Sequence, residues 1–129
     1  LASQLDPSIK VLRESVPQEQ LDILSAKVLS ESITSRIDLH TPRYALSMRR
    51  GEQLAFVPSF KVNVRRVTGA GDAWSAGDLV GEALGLGDGD RLCFAHAVAA
   101  LYISSPDAKH PSLQEVKFFL KTHSYLKEL

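Results

Sequence analysis

Gly69-Ala70-Gly71-Asp72 puts two glycines and a carboxylate into four residues, where an alternating run, Phe60-Lys61-Val62-Asn63-Val64, gives way to a helical pattern starting at Asp72. Backbone N–H groups at the start of a helix lack intrahelical acceptors and sit at its positive end, and glycines, having no Cβ, let an anion approach them closely. In physical outline this is a phosphate or oxyanion site. The same residues also suit a tight strand-to-helix turn in which glycine supplies a positive φ. Two common anion loops fail on inspection: no Gly-Lys-Ser/Thr follows, and Trp74 stands where a dinucleotide fingerprint needs its third glycine. Asp72 would repel a phosphate held permanently at the turn. It suits a base instead, a carboxylate that the helix dipole favours as an anion. It would take a proton from a substrate hydroxyl while the amides of Gly69, Ala70 and Gly71 stabilise charge that develops during transfer.

The elements that must position this turn can be read from periodicity. Ser15 and Gln18 have capping-box spacing with Pro17 between them, and Leu21, Leu24, Val28 and Leu29 carry a helix to about Ser32. Residues 1–14 have no clear pattern beyond a turn at Asp6-Pro7. Ile37 and Leu39 alternate with Asp38 and His40 up to Pro42, which predicts a strand. The runs 44–49 and 53–57 flank Arg49-Arg50-Gly51-Glu52 and predict a hairpin. A further strand is expected over Val62 to Val67, directly before the glycines. After Asp72 the helix carries Ala76, Leu79, Val80 and Ala83 on one side and ends at Gly85, Gly87 and Gly89. Asp90 is expected to cap a second helix, Arg91 to Ile103, and Ser112 with Glu115 a third over Val116, Phe119 and Leu120. Gly77, Gly81 and Gly85 are four apart, as are Ala95 and Ala99, so these two helices should pack closely. The expected order is helix, strand, hairpin, strand, glycine turn and three helices, one α/β unit whose strands cannot form a fully covered sheet alone.

Val67-Thr68-Gly69-Ala70-Gly71-Asp72-Ala73-Trp74-Ser75-Ala76-Gly77 resembles the second signature of the ribokinase-like (PfkB) carbohydrate and nucleoside kinases, roughly D-T-x-G-A-G-D-x-F-x-x-G. The glycines, the acid, the aromatic residue two positions later and the downstream glycine all agree. The flanking order agrees as well: a turn, a hairpin, Val57-Pro58 and an alanine-rich helix, over about residues 25–120. The resemblance implies the C-terminal part of a ribokinase-like, Rossmann-like three-layer α/β/α sandwich with a β-hairpin before the G-A-G-D turn. It also implies ATP-dependent phosphorylation of a sugar or nucleoside hydroxyl, with Asp72 as general base and the amides of Gly69, Ala70 and Gly71 as anion hole. Thr68, Gly69, Gly71, Thr41, His96 and Arg66 are the positions it sets near the nucleotide. Three of them depart from the family pattern. His40-Thr41-Pro42-Arg43 replaces the usual T-L-G-E, His96 stands where an asparagine near the adenine is common, and Arg66 replaces an Asp that helps hold a monovalent cation. Potassium activation is therefore not carried over, and the Arg66 guanidinium would supply the positive charge itself. Asn63 is the only asparagine, so the family's N-x-x-E magnesium motif is not in this sequence, and Mg2+ ligands are expected outside it. The first glycine-rich signature and the sugar-binding half are missing too. Residues 1–129 therefore look like a C-terminal nucleotide-binding and catalytic-base portion, inactive in isolation. A non-catalytic nucleotide-binding or structural fragment of the same fold is the alternative.

The 129 residues carry 15 basic and 15 acidic side chains and are 44% hydrophobic, the composition of a folded chain able to bury a core. Zero net charge speaks against a dedicated nucleic-acid binder, although residues 36–66 carry a local basic excess that reads as a solvated hairpin. The single Cys93 excludes an intrachain disulfide and reads as a small core residue, and no Cys/His spacing resembles a zinc site. No apolar run approaches the roughly 20 residues of a membrane span. A cytoplasmic setting fits, with a small-molecule partner, no nucleic acid or membrane, and a homodimer left open. The sequence lacks an initiating Met and reads as starting partway into a longer protein.

Overall fold

The computed structural model describes residues 1–124. In chain order they form α1 (Ala2–Leu5), α2 (Ser8–Leu12), α3 (Gln18–Ser32), β1 (Ile37–His40), β2 (Tyr44–Met48), β3 (Ala55–Pro58), α4 (Ala70–Ala83), α5 (Asp88–Ser104) and α6 (Leu113–Thr122). Two compact units result, one made of Leu1–Leu39 and Leu46–Ala55, the other of His40–Ala45 and the described residues from Phe56.

In the first unit Ala2, Ile9 and Leu21 are buried, with Leu12, Leu24, Val28 and Leu29 packed around them, so the 3.6-residue spacing of α3 does select its inner face. The Asp6-Pro7 turn holds because the Asp6 carboxylate accepts from Ser8 N–H at 3.0 Å and Ser8 Oγ at 2.7 Å, starting α2. The Ser15–Gln18 capping box does not form. Ser15 Oγ donates to Leu12 O, Gln18 Nε2 donates to Asp22, and Pro17, which offers no N–H, stands at the cap itself.

The three strands form an antiparallel sheet in the order β1-β2-β3. Thr41 shapes the link from β1 to β2: its Oγ1 accepts from Arg43 N–H and Tyr44 N–H, and its own N–H donates to Tyr44 O at 2.8 Å. The strand expected over Val62 to Val67 is absent. An alternating pattern becomes a strand only where another strand supplies a hydrogen-bond ladder. Here the N–H groups of Arg65 and Arg66 both donate to Ile103 O, at 2.8 and 3.2 Å, near the end of α5.

In the second unit Phe60, Phe94, Ala97, Ala100, Val116 and Phe119 form the core, with Phe60 and Phe119 edge-to-face at 5.0 Å and Cys93 packed against it. Helix α6 begins with the expected reciprocal box between Ser112 and Glu115. Helix α5 begins three residues earlier than expected, after Gly87, with Asp88 and Asp90 both in the first turn, where the dipole favours acids. Helix α4 stops at Gly85, whose φ of 73° lets Leu86 N–H reach back to Gly81 O. The side of α4 bearing Ala76, Leu79, Val80 and Ala83 is solvent-facing, with Leu79 70% exposed; Ala73, Trp74, Gly77, Asp78 and Gly81 are buried instead.

The glycines on that inner side explain the close approach of α4 to α5. A Cβ at Gly77 would lie 2.9 Å from Ala95 Cα, a backbone atom that cannot step aside. Gly77→Ala is expected to gain about 1 kcal/mol of helix propensity and lose about 1–3 kcal/mol to overpacking, a net fall in melting temperature. Gly89→Ala, in α5 with nothing within 4 Å of the added atom, is expected to raise it. Thermal unfolding of the two variants checks the contrast.

Candidate active site

The G-A-G-D turn is built by backbone geometry. Gly69 adopts φ 81° and ψ 0°, the left-handed region that an L side chain resists, and this reverses the chain into α4, which starts at Ala70. The N-cap of α4 is Gly69, which has no side chain to cap it, so first-turn donors without a backbone acceptor among the described residues are left to solvent or to a ligand. Asp72 lies in that first turn and is exposed. One expectation needs correcting: the Ala70 N–H donates to Val67 O at 3.1 Å, closing the turn, and is spent. Of the three amides expected in the anion hole, those of Gly69 and Gly71 have no acceptor among the described residues.

Aromatic residues flank both glycines. A Cβ on Gly69 would fall 2.7 Å from Tyr102 Oη, and one on Gly71 would lie 3.6 Å from His40 Cε1. Glycine is therefore required at Gly69 twice over, by its φ and by Tyr102. His40 stacks on Trp74 at 4.5 Å, and Trp74 meets His96 edge-on at 6.2 Å. Sequence reasoning missed Tyr102, Trp74 and His40 as neighbours of one site. The signal available was Trp74 at the motif's aromatic position, without any indication of what it touches.

Beside the turn lies a cavity of about 410 Å³, lined by His40, Thr41, Phe60, Ala70, Trp74 and His96 among others, mostly apolar in character. Its size is that of a site for a small organic ligand. Thr41 is on its wall, although its hydroxyl is engaged in the β1–β2 link. Trp74 Nε1 is buried and has no hydrogen-bond partner among the described residues, a donor left available within the wall. Thr68 is exposed, and Arg66 does not line the cavity: its Nη2 donates to Pro106 O at 2.7 Å. Of the sequence-predicted residues the structure thus places Thr41, His96 and Ala70 on one cavity, with Gly69, Gly71 and Asp72 in the adjoining turn.

His96 is 5% exposed, its Nε2 3.3 Å from Val57 O and its Nδ1 3.5 Å from Ser59 Oγ. Burial pushes its pKa down to about 4. His40 is pushed below its ordinary value, chiefly by burial, with Asp78 opposing. For His96 the sign follows from linkage: the unfolded chain takes up a proton near pH 6.5 and the folded chain only near 4. Stability is therefore undiminished above pH 6.5 and falls through that window as pH drops, by up to about 1.4 kcal/mol per pH unit. His96→Gln is expected to remove that slope, read as the difference between wild-type and variant urea midpoints at pH 7.5 and 5.

Among the described residues no group of three His, Cys, Asp or Glu side chains could hold a metal ion, and no helix is long and apolar enough to cross a membrane.

The model of the pfkB family of carbohydrate kinases matches residues 44–115. No curated protein matches the chain. Among solved structures, ribokinase from Cryptococcus neoformans var. grubii serotype A in complex with ADP aligns with TM-score 0.66 and 18% identity, over 81% of this chain and 36% of that one. A putative ribokinase II from E. coli, in its apo form, aligns with TM-score 0.66 and 22% identity, over 92% of this chain and 37% of that one. The chain thus has a ribokinase-like fold and spans little more than a third of the length of these structures.

Proposed function

The chain belongs to the pfkB family of carbohydrate kinases, and from that premise we propose that it is the nucleotide-binding and catalytic-base portion of an ATP-dependent kinase acting on a sugar or nucleoside hydroxyl. The observation that carries the reading is the uncapped glycine turn with Asp72 exposed in its first helical turn, next to a cavity of about 410 Å³. Asp72 takes the proton of the acceptor hydroxyl as that oxygen attacks the terminal phosphorus of the nucleotide; the bond to the leaving oxygen breaks and the diphosphate departs. The Gly69 and Gly71 amides donate to the oxyanion whose charge grows during transfer. The nucleotide base occupies the cavity, stacked against the Trp74 wall and edged by His96, held neutral by burial, and by the Thr41 turn. That one relative was crystallised with ADP supports a nucleotide there. Magnesium arriving with the nucleotide has no ligand set among the described residues, and the steps assigned to this chain use none. The acceptor-binding half is assigned to sequence outside these residues, a reading supported by the chain's covering 36% and 37% of the two ribokinase structures.

Ala99 lines the cavity and is half-buried, so a larger side chain there fills it without removing a hydrogen bond. Ala99→Phe in the full-length protein is expected to weaken ATP binding at least about tenfold, the scale of one good base contact of roughly 1–3 kcal/mol. Calorimetric titration with a non-hydrolysable ATP analogue measures it. Unchanged affinity would move the base out of this cavity.

A further inference from the structure

We propose that Arg66 is a positioning residue for the anion turn, a resident cation that fixes Tyr102 against Gly69 and offsets the negative end of α5. The inference rests on the kinase reading above and adds a residue that does not touch the reacting atoms. Three contacts tie Arg66 and its neighbour to the end of α5 and the loop after it: Arg65 N–H and Arg66 N–H to Ile103 O, and Arg66 Nη2 to Pro106 O at 2.7 Å. The guanidinium carbon stands 6.0 Å from the centroid of the Tyr102 ring, and His110 stacks on Tyr102 at 4.7 Å. Tyr102 in turn packs so tightly on Gly69 that an added Cβ would fall 2.7 Å from its hydroxyl. Arg66 therefore acts on the turn through one intermediary whose place it helps to set, only three residues before the left-handed glycine.

Electrostatics gives the arrangement its purpose. The last carbonyls of α5 carry the negative end of that helix, and Tyr102, one residue before Ile103, brings that end against Gly69 of the turn meant for an anion. Left bare, that end would weaken whatever the Gly69 and Gly71 amides offer. The guanidinium, permanently charged and planar, donates into the same loop and cancels the opposing field. Its Nε is buried and has no hydrogen-bond partner among the described residues, so the group is held by the segment's path and by Pro106, at a cost a solvated surface arginine would not bear.

The test uses full-length protein with ATP and its best acceptor. Arg66→Ala is expected to lower kcat about 10- to 100-fold while changing the KM for ATP less than about threefold, because the turn's stabilisation is felt as charge develops. Methylguanidinium at millimolar concentration should restore several-fold of the loss in Arg66→Ala and none in the wild type. Arg66→Gln, which keeps a donor for Pro106 but not the charge, should resemble Arg66→Ala; should Arg66→Ala not fold, Arg66→Gln carries the test. A folded variant with kcat within about twofold of wild type overturns the proposal, as does a loss shared equally by kcat and KM that the guanidinium does not rescue. Asp72→Asn in the same assay separates the two levels. If it is silent the kinase reading itself falls; if it is nearly inactive while Arg66→Gln is normal, only the role of Arg66 falls.

Discussion

Asp72→Asn in the full-length protein should retain ATP binding and lose about 10²- to 10⁴-fold of kcat, the contribution typical of a positioned general base. The substitution keeps shape and removes proton-accepting capacity. It also takes a negative charge from beside the anion turn, so ATP affinity is expected to stay level or rise slightly. The affinity and the rate therefore move apart, which a loss of folding would not produce. Asp72 is exposed and no side chain among the described residues is hydrogen-bonded to it, so its replacement leaves no buried partner stranded there and melting temperature should hold. Stopped-flow turnover and analogue titration on one preparation give both numbers. A variant as fast as wild type would remove the base role outright.

The second large effect is on stability. Arg91 is fully buried at the start of α5 and reaches across to α4, where it is hydrogen-bonded to Asp78; Asp88 accepts from its Nη2 at 3.1 Å, and Glu82 lies 3.7 Å from its Nε. Gly81 makes room for it, since a Cβ there would meet Arg91 Cγ at 3.0 Å. Removing one member of a buried ion pair strands the other charge, at a cost of about 3–5 kcal/mol, whereas replacing both by apolar groups is often neutral. Arg91→Met is thus expected to lower stability by about 3–5 kcal/mol, and Arg91→Met with Asp78→Leu to regain most of it. Calorimetry on the full-length protein gives the comparison. Additive losses in the double variant would mean that the pair is not what couples α4 to α5. Because Asp78 sits less than two turns along α4 from Asp72, the loosened α4–α5 contact should also reduce kcat.

The residues that were legible in the sequence are those whose partners lie close along the chain. Ser112 and Glu115 form their box, Ile37 to His40 and the hairpin are strands, and the glycine turn opens a helix with Asp72 in its first turn. Some errors come from a distant partner, and others from a local competitor, as where Ser15 and Gln18 turn to Leu12 and Asp22. Val62 to Val67 has a strand's alternation, but its neighbour is the end of α5, forty residues on, and no local pattern announces that. The glycine stripe of α4 is legible, since Gly77 and Gly81 do meet α5, whereas the apolar side bearing Leu79 and Val80 faces solvent. Ala70 was counted among free donors because spacing cannot show that the turn closes on Val67 O. Tyr102 was missed since a tyrosine late in an alanine-rich helix gives no sign that it rests on Gly69. The chemistry-bearing acid was legible because it is contained in the motif; the cavity, assembled from four segments, was not.

The most direct test of the central claim is transfer of the labelled terminal phosphoryl group of ATP by the full-length protein to a panel of sugars and nucleosides, run side by side with Asp72→Asn and resolved by mass spectrometry of the acceptor. The account predicts that at least one hydroxyl-bearing acceptor gains a phosphoryl group in proportion to ADP formed, and that Asp72→Asn binds the nucleotide while transferring about 10²- to 10⁴-fold more slowly. Nucleotide binding with no acceptor phosphorylated by the wild type, or equal transfer by Asp72→Asn, would contradict it.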